Sequence, residues 1–212
     1  YRSLVKDSFA ELGKSEVTVT NVLTKLLRLS QLTGGFLGND EGSVCQQVSK
    51  AKLEALEDIV DNAVQSGEKI VVIARFLAEI KAIKKLLEKK HIQYSQVSGE
   101  VKDRGTQIHS FQNDPTVSVF IGQIATAGLG ITLTAASTMV FYSLDYSMSN
   151  FEQTKARIHQ AGQQKNCTYI YLVAKNTVDE KVLNSLQNKA DLAKALVNDY
   201  KNGRNPYDMG GF

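Results

Sequence analysis

The stretch KIVVIARFLAEIKAIKKLLEKK, residues 69–90, decides the fold class. It opens with KIVVIA, a short run of apolar and β-branched residues that is typical of a strand buried on both faces. The next residues, FLAEIKAIKKLLEKK, repeat their apolar side chains with the spacing of an amphipathic helix. A buried strand that leads directly into a helix is the repeating unit of an α/β protein with a parallel sheet.

The same alternation extends along the rest of the chain. Further strands are predicted at 92–97, 117–122, 138–143 and 167–173, and further helices at 18–32, 50–65 and 101–112. Another helix is predicted to begin at the capping box Ser149-x-x-Glu152 and to end at Gly162, and Thr177-x-x-Glu180 opens C-terminal helices. We therefore predict an α/β fold with five parallel strands and helices on both faces, preceded by an irregular connector over 34–48.

Composition and charge narrow the class of protein. Hydrophobic residues make up 42% of the 212 residues and charged residues 22%, as in ordinary globular proteins. No apolar run approaches the roughly 18–20 residues that span a bilayer, so no membrane partner is predicted. Cys45 and Cys167 lack metal-site spacing, so we predict no metal site and a reducing, cytoplasmic location. A start at Tyr1, already within a helical pattern, suggests a segment of a larger protein.

A loop of small residues, QIATAGLGITLTAAS at 123–137, follows the third predicted strand. Ligands of open α/β sheets bind at the carboxyl ends of strands, and Gly128 and Gly130 would let the backbone approach a phosphate. A dinucleotide fingerprint is incomplete, because Leu133 occupies the position of the third glycine. A phosphate-binding loop and a small-residue packing turn both remain open. Hydroxyl donors in the loop are Thr126, Thr132 and Thr134.

The stretch QTKARIHQAGQQ, residues 153–164, is the second candidate. Gln153, Arg157 and Gln160 stand at i, i+4 and i+7, so a continuous helix would present all three on one face. Such a face either meets a ligand at the edge of the sheet or is simply solvated.

The order of these segments resembles motifs IV to VI of the SWI/SNF-type ATPases, within the superfamily-two helicases. The segments that carry the resemblance are VVIARF (71–76), SGEVKDRG (98–105), HSFQ (109–112), TAGLGITLTAAS (126–137) and QTKARIHQAGQ (153–163). NTVDEKVLNSLQNKADL (176–192) is similar to the brace segment of that family, and LTKLLRLSQLTGGFL (23–37) to the helix before its second lobe. The sequences of these motifs look closest to those of small bacterial and phage members of the family.

The resemblance implies the second RecA-like lobe of a two-lobed motor that moves along double-stranded DNA. It implies a helical connector from a first lobe at 1–48, the lobe itself at 49–175, and brace helices with a tail at 176–212. ATP with Mg²⁺ would be bound mainly by the first lobe, which would carry the P-loop lysine and the acidic pair. The isolated chain is therefore expected to be inactive.

The resemblance also implies roles for individual residues. Arg157 matches an arginine finger, whereas Gln160 stands in the place of the family's second arginine. The implied nucleotide-binding residues are Gln153, Gly128, Gly130 and Gln163. The implied contacts to the DNA backbone are Arg75, Ser98, Gly99, Arg104, Thr126 and Thr132. The alternative is a catalytically drifted domain that binds only DNA or a partner.

Overall fold

The computed structural model describes residues 1–12, 19–38, 45–124 and 130–208. They form two compact units, Lys50–Leu172 and the combination of Tyr1–Ser49 with Val173–Phe212. The first and last of the three segments expected from the resemblance thus share one unit.

The elements follow one another in an order close to the predicted one. In chain order they are α1 (Arg2–Leu12), α2 (Val19–Thr33), β1 (Phe36–Gly38), β2 (Cys45–Gln47), α3 (Ala51–Gln65), β3 (Lys69–Ala74), α4 (Leu77–Lys89), β4 (Gln93–Val97), α5 (Arg104–Asn113), β5 (Val117–Gln123), β6 (Ala136–Phe141), α6 (Met148–Ala156), β7 (Thr168–Tyr171), α7 (Val178–Gln187) and α8 (Leu192–Lys201). No helix of the described ranges has an apolar stretch long enough to cross a bilayer.

The unit Lys50–Leu172 is built on a five-stranded sheet of order β4-β5-β3-β6-β7, and all its strand pairs are parallel. This confirms the α/β fold predicted from the sequence. Strand β3 is central, and its residues from Ile70 to Ala74 are almost wholly buried. A strand buried on both faces can be continuously apolar, as KIVVIA is.

Helices cover both faces of this sheet. On one face, Leu56 of α3 and Ile83 of α4 pack in a cluster with Val72 of β3. Successive residues of a strand point to opposite faces, so Phe120 and Phe141 point to the other one. There the ring of Phe120 lies 5.3 Å from that of Phe111 in α5, and Phe141 contacts Phe151 of α6. The aromatic pairs therefore anchor α5 and α6 to the sheet.

The other unit contains α1, α2, α7, α8 and a hairpin of the antiparallel strands β1 and β2. The hydroxyl of Tyr207 donates to the carbonyl of Val22, and Thr33 Oγ1 donates to Asp179 Oδ1 at 2.7 Å. Thr177 caps α7 as predicted, since its side chain accepts from the backbone of Asp179. The connector predicted as irregular thus contains two three-residue strands, too short to show a periodic pattern.

Candidate functional site

The carboxyl ends of the parallel strands meet at one edge of the sheet, and several candidate residues lie there. Gln123, the last residue of β5, joins two of the turns. Its Nε2 donates to the carbonyl of Arg75 at 3.3 Å, and its Oε1 accepts from the backbone N–H of Gly99 at 3.1 Å. The structure therefore brings together Arg75 and Gly99, which follow different strands and were both predicted to contact DNA.

The guanidinium of Arg75 is fixed by its neighbours. Its Cζ lies 3.9 Å from the centre of the Tyr146 ring, and Nη2 lies 3.7 Å from Asp145 Oδ1. The Arg75 side chain is 18% exposed, and so is that of Asp145. Stacking on an aromatic ring holds a guanidinium in one orientation. Arg75 is thus a pre-oriented cation at this edge rather than a solvated side chain.

The turn that carries Arg75 is tied to the end of β6 by Glu79, which is fully buried. Its Oε2 accepts from the backbone N–H groups of Arg75 and Phe76 and from the hydroxyl of Ser143. Burial raises the pKa of the Glu79 carboxyl to about 7, against the opposing effect of these hydrogen bonds. The sequence analysis missed Glu79, although a glutamate at the third position of a helix is a known capping signal.

Two of the predicted DNA contacts differ in accessibility. Ser98 is fully buried, and its Oγ accepts from Gln96 Nε2 at 2.9 Å. The Ser98 hydroxyl is therefore engaged inside the fold, where it supports the loop, and a contact of Ser98 with a DNA phosphate stays a prediction. Arg104 is half-buried at the first position of α5, which Asp103 caps by accepting from the Thr106 N–H.

The loop predicted to hold phosphate is described from Gly130 onward. Thr126 and Gly128 lie outside the described residues, and their predicted roles stay predictions. Gly130 is exposed, and its φ of +63° lies in the left-handed region. Thr132 is also exposed, and its hydroxyl donates to Gln160 Oε1 at 2.9 Å.

Two glutamines tie this loop to the second candidate stretch. Gln160 Nε2 donates to the carbonyl of Ile131 at 3.3 Å, so both ends of that amide are engaged by the loop. Gln163 Nε2 contacts three backbone carbonyls, with the shortest distance of 2.8 Å to Ala136. The other two carbonyls belong to Thr134 and Ile158. Both amides thus hold the two stretches together.

Helix α6 ends before most of this stretch, which corrects the prediction of one continuous helix to Gly162. It begins after Ser147, whose hydroxyl accepts from Asn150 N, and not after Ser149. It ends at Ala156, where the Arg157 N–H bonds to the carbonyl of Thr154, only three residues back. The carbonyl of Arg157 accepts from Leu133 N at 2.9 Å, outside the helix. The idea that Gln153, Arg157 and Gln160 share one helical face is therefore wrong.

Arg157 nevertheless lies at the carboxyl edge of the sheet. It lines a small recess together with residues from the ends of β3 and β5, from the loop and from α6: Ile73, Gln123, Ile131 and Thr154. Gln153 lies apart from this lining, exposed on α6, where its Nε2 donates to Ser149 Oγ. Among the described residues, no group of three acidic, histidine or cysteine side chains is placed to hold a metal ion.

A five-stranded parallel sheet with helices on both faces is the architecture of a RecA-like lobe. The model of the helicase conserved C-terminal domain matches residues 51–162, more than half of the chain. The chain belongs to this family.

Full-length relatives are much longer than this chain. The chain is 30% identical over 152 residues to the chromatin-remodeling ATPase INO80 of Cryptococcus neoformans, and the match covers 71% of this chain and 9% of that protein. It is 29% identical over 182 residues to an uncharacterized ATP-dependent helicase of Mycoplasma pneumoniae, covering 84% of this chain and 17% of that protein. The chain thus spans less than a fifth of either relative.

A solved structure has the same fold. The SWI2/SNF2 ATPase C-terminal domain of Sulfolobus solfataricus superposes with a TM-score of 0.67 at 22% identity, covering 88% of this chain and 78% of that one. Together with the family match, these neighbours support a C-terminal lobe of the SWI2/SNF2 type. The matched relatives include both a fungal protein and a protein of the bacterium Mycoplasma pneumoniae, so a closer similarity to small bacterial and phage members stays a prediction.

Proposed function

We propose that this chain is the second motor lobe of an ATP-dependent translocase on double-stranded DNA. In this proposal Arg157 is the arginine finger, and ATP with Mg²⁺ is held mainly by a first lobe. The observation that carries the proposal is the position of Arg157 in the recess at the carboxyl edge of a sheet of this family. The names of the relatives, a remodeling ATPase and an ATP-dependent helicase, support the same class.

The chemistry of phosphoryl transfer suits a cation at this place. Negative charge spreads over the equatorial oxygens of the γ-phosphate in the transition state, and a positioned guanidinium stabilises that charge. The main chain of Arg157 is fixed by a hydrogen bond, since its carbonyl accepts from Leu133 N. Its side chain can therefore be presented to a nucleotide without prior ordering of the main chain. The chain itself supplies no metal ligands in this proposal, and Mg²⁺ belongs to the first lobe.

Double-stranded DNA is the proposed second partner, bound through its phosphates. Gly99 and Thr132 are exposed near the carboxyl edge, Arg104 opens α5, and Arg75 is pre-oriented by Tyr146. Contacts of this kind fix the position of a protein on a duplex and carry no base specificity. A cytoplasmic location remains a prediction.

The test is Arg157→Ala in the full-length protein, assayed for ATP hydrolysis with saturating double-stranded DNA. Loss of an arginine finger lowers kcat by about 10³–10⁵-fold in GTPases, and we expect a decrease of about 10³-fold. Arg204→Ala is the matched control, because Arg204 is an exposed arginine that pairs with Asp199. The isolated chain should give no turnover in the same assay.

The rival function is a drifted domain that binds DNA or a partner without any role in hydrolysis. It is favoured by one observation, the engagement of Gln160 by the loop where the family has a second arginine. The same assay separates the two functions. Unchanged DNA-stimulated turnover in Arg157→Ala would contradict the motor function and leave the binding domain.

A further inference from the structure

A buried carboxylate organises the turn that presents Arg75. Glu79 lies in the first turn of α4 and is fully buried, and its Oε2 lies 3.2 Å from Arg75 N and 3.1 Å from Phe76 N. The Ser143 hydroxyl donates to the same oxygen at 2.5 Å and itself accepts from Arg75 N at 2.8 Å. Glu79 and Ser143 together therefore hold the backbone N–H of Arg75 from two sides.

This network connects the turn after β3 with the segment after β6. Ser143 is two residues before Asp145 and three before Tyr146, the residues that pair with and stack on the Arg75 guanidinium. The backbone of Arg75 and the partners of its side chain are thus fixed by one hydrogen-bond network. A shift of either segment would move the guanidinium relative to the sheet edge.

We propose that Glu79 is a positioning residue, whose ionised side chain fixes Arg75 for contact with a DNA phosphate. The inference rests on the proposed DNA contact of Arg75. The acceptor role of Oε2 supports it, because hydrogen bonds from N–H and O–H groups to a carboxylate are stronger than those to a neutral carbonyl. Of the described residues, none donates a hydrogen bond to Oε1, so a proton can be added there without displacing a donor.

The surroundings of Glu79 place its titration near neutral pH. The titratable groups that act on it are Lys52 from α3 and Tyr142, which is beside Ser143. Burial dominates and raises the pKa of Glu79 from 4.5 to about 7. A raised carboxyl pKa means that the folded state binds the proton more tightly than the unfolded state. Stability therefore falls as pH rises from about 4.5 to about 7, while the ionised, positioning form accumulates.

The test is Glu79→Gln in the full-length protein, which keeps the shape and resembles the protonated acid. Affinity for a labelled double-stranded DNA is measured from pH 6 to pH 8.5 by fluorescence anisotropy. We expect about a three- to tenfold loss at pH 8, corresponding to the charged hydrogen bonds, and little loss at pH 6. The difference between the two pH profiles removes the contribution of every group that the substitution leaves unchanged.

Thermal denaturation separates positioning from simple damage to the fold. Because the ionised form is disfavoured in the folded state, Glu79→Gln should have an unchanged or higher Tm at pH 8 despite its weaker binding. Equal affinity at pH 8, or a loss that is the same at every pH and accompanies a lower Tm, would overturn the inference. Glu54→Gln, at an exposed position of α3, is the control for loss of one negative charge.

Two further variants complete the test. Ser143→Ala removes the hydroxyl that accepts from Arg75 N, and we expect it to weaken DNA binding as Glu79→Gln does. This variant tests the inference even if Glu79→Gln fails to fold. Arg75→Ala tests the proposed function on which the inference rests. If Arg75→Ala binds DNA normally, the phosphate contact and the inference both fail. If it binds weakly while the Glu79 and Ser143 variants bind normally, only the inference fails.

Discussion

At the scale of single residues, Gln160 occupies the position where the resembled family has a second arginine, and its amide is held at both ends. The oxygen accepts from the Thr132 hydroxyl, and the nitrogen donates to the carbonyl of Ile131. An amide held in this way connects the loop with the segment that follows Arg157. In the proposed function, Gln160 then positions the loop, and the stabilisation of transition-state charge is assigned to Arg157 alone.

A double-mutant cycle between Thr132 and Gln160 tests this connection. We expect Thr132→Val and Gln160→Ala to be non-additive, with a coupling of about 0.5–1.5 kcal/mol in the free energy of unfolding, since both remove the same hydrogen bond. The measurement is urea denaturation of the four proteins. Thr116, whose hydroxyl bonds only to the nearby Asp114 among the described contacts, serves as control: Thr116→Val should be additive with Gln160→Ala. A coupling near zero for Thr132 and Gln160 would contradict the positioning function.

At the scale of elements, the end of α2 depends on one glycine. Gly35 has a φ of +95°, and a Cβ built on it would lie 2.5 Å from the backbone oxygen of Ser49. Its carbonyl accepts from Val48 N at 2.8 Å, which fixes the return of the chain after β2. Position 35 thus requires a glycine for a conformational reason, the positive φ, and for a steric one, the close Ser49 oxygen.

Gly35→Ala should therefore be more destabilising than a substitution that adds only conformational strain. A left-handed non-glycine residue costs about 1–2 kcal/mol, and the clash with backbone raises the expected loss to about 2–4 kcal/mol. Gly203→Ala is the control in the same unit, because Gly203 has a φ of +72° with no atom within 4 Å of the added Cβ. Equal losses in urea denaturation would show that the contact with Ser49 relaxes freely.

The elements themselves could be predicted from the sequence where their pattern is local. Strand β3 and helix α4 are recognised by apolar runs and helical spacing, and their observed bounds differ from the predicted ones by one residue at most. The end of α6 was predicted too late, at Gly162, because the segment after Ala156 bonds to the loop through Leu133 N and the Arg157 carbonyl, a contact that no local pattern shows. The same holds for Glu79, whose partner Ser143 is 64 positions away.

The candidate site, too, could be predicted from the sequence only in part. The resemblance pointed to Arg75, Gly99 and Arg157, and the structure places all three at or beside strand ends. Motifs identify residue types in order, but they do not show which side chains are buried. Ser98 was therefore predicted to contact DNA although its side chain is buried, and Gln123, which joins two turns, was overlooked.

At the scale of the whole molecule, the proposed binding to a duplex depends on a few placed cations. The net charge is only +3, so the general field of the protein is weak. Lys90 is paired with Glu57 and Asp61, and Lys165 with Glu68, which further reduces non-specific attraction. Affinity should then be carried by individual phosphate contacts, each of which releases counterions.

Arg104→Ala tests whether an individual phosphate contact contributes to affinity. Arg104 is the first residue of α5, beside the loop that contains Gly99. Each lost phosphate contact lowers the slope of log K against log salt by about 1, and affinity should fall to the same extent on unrelated duplex sequences. The measurement is anisotropy titration of the full-length protein between 50 mM and 200 mM salt. Lys194→Ala is the control, because Lys194 is exposed and lies on α8 next to Asp191. An equal change of slope in both variants would mean that Arg104 acts only through net charge, and an unchanged slope in Arg104→Ala would remove it from the DNA-binding surface.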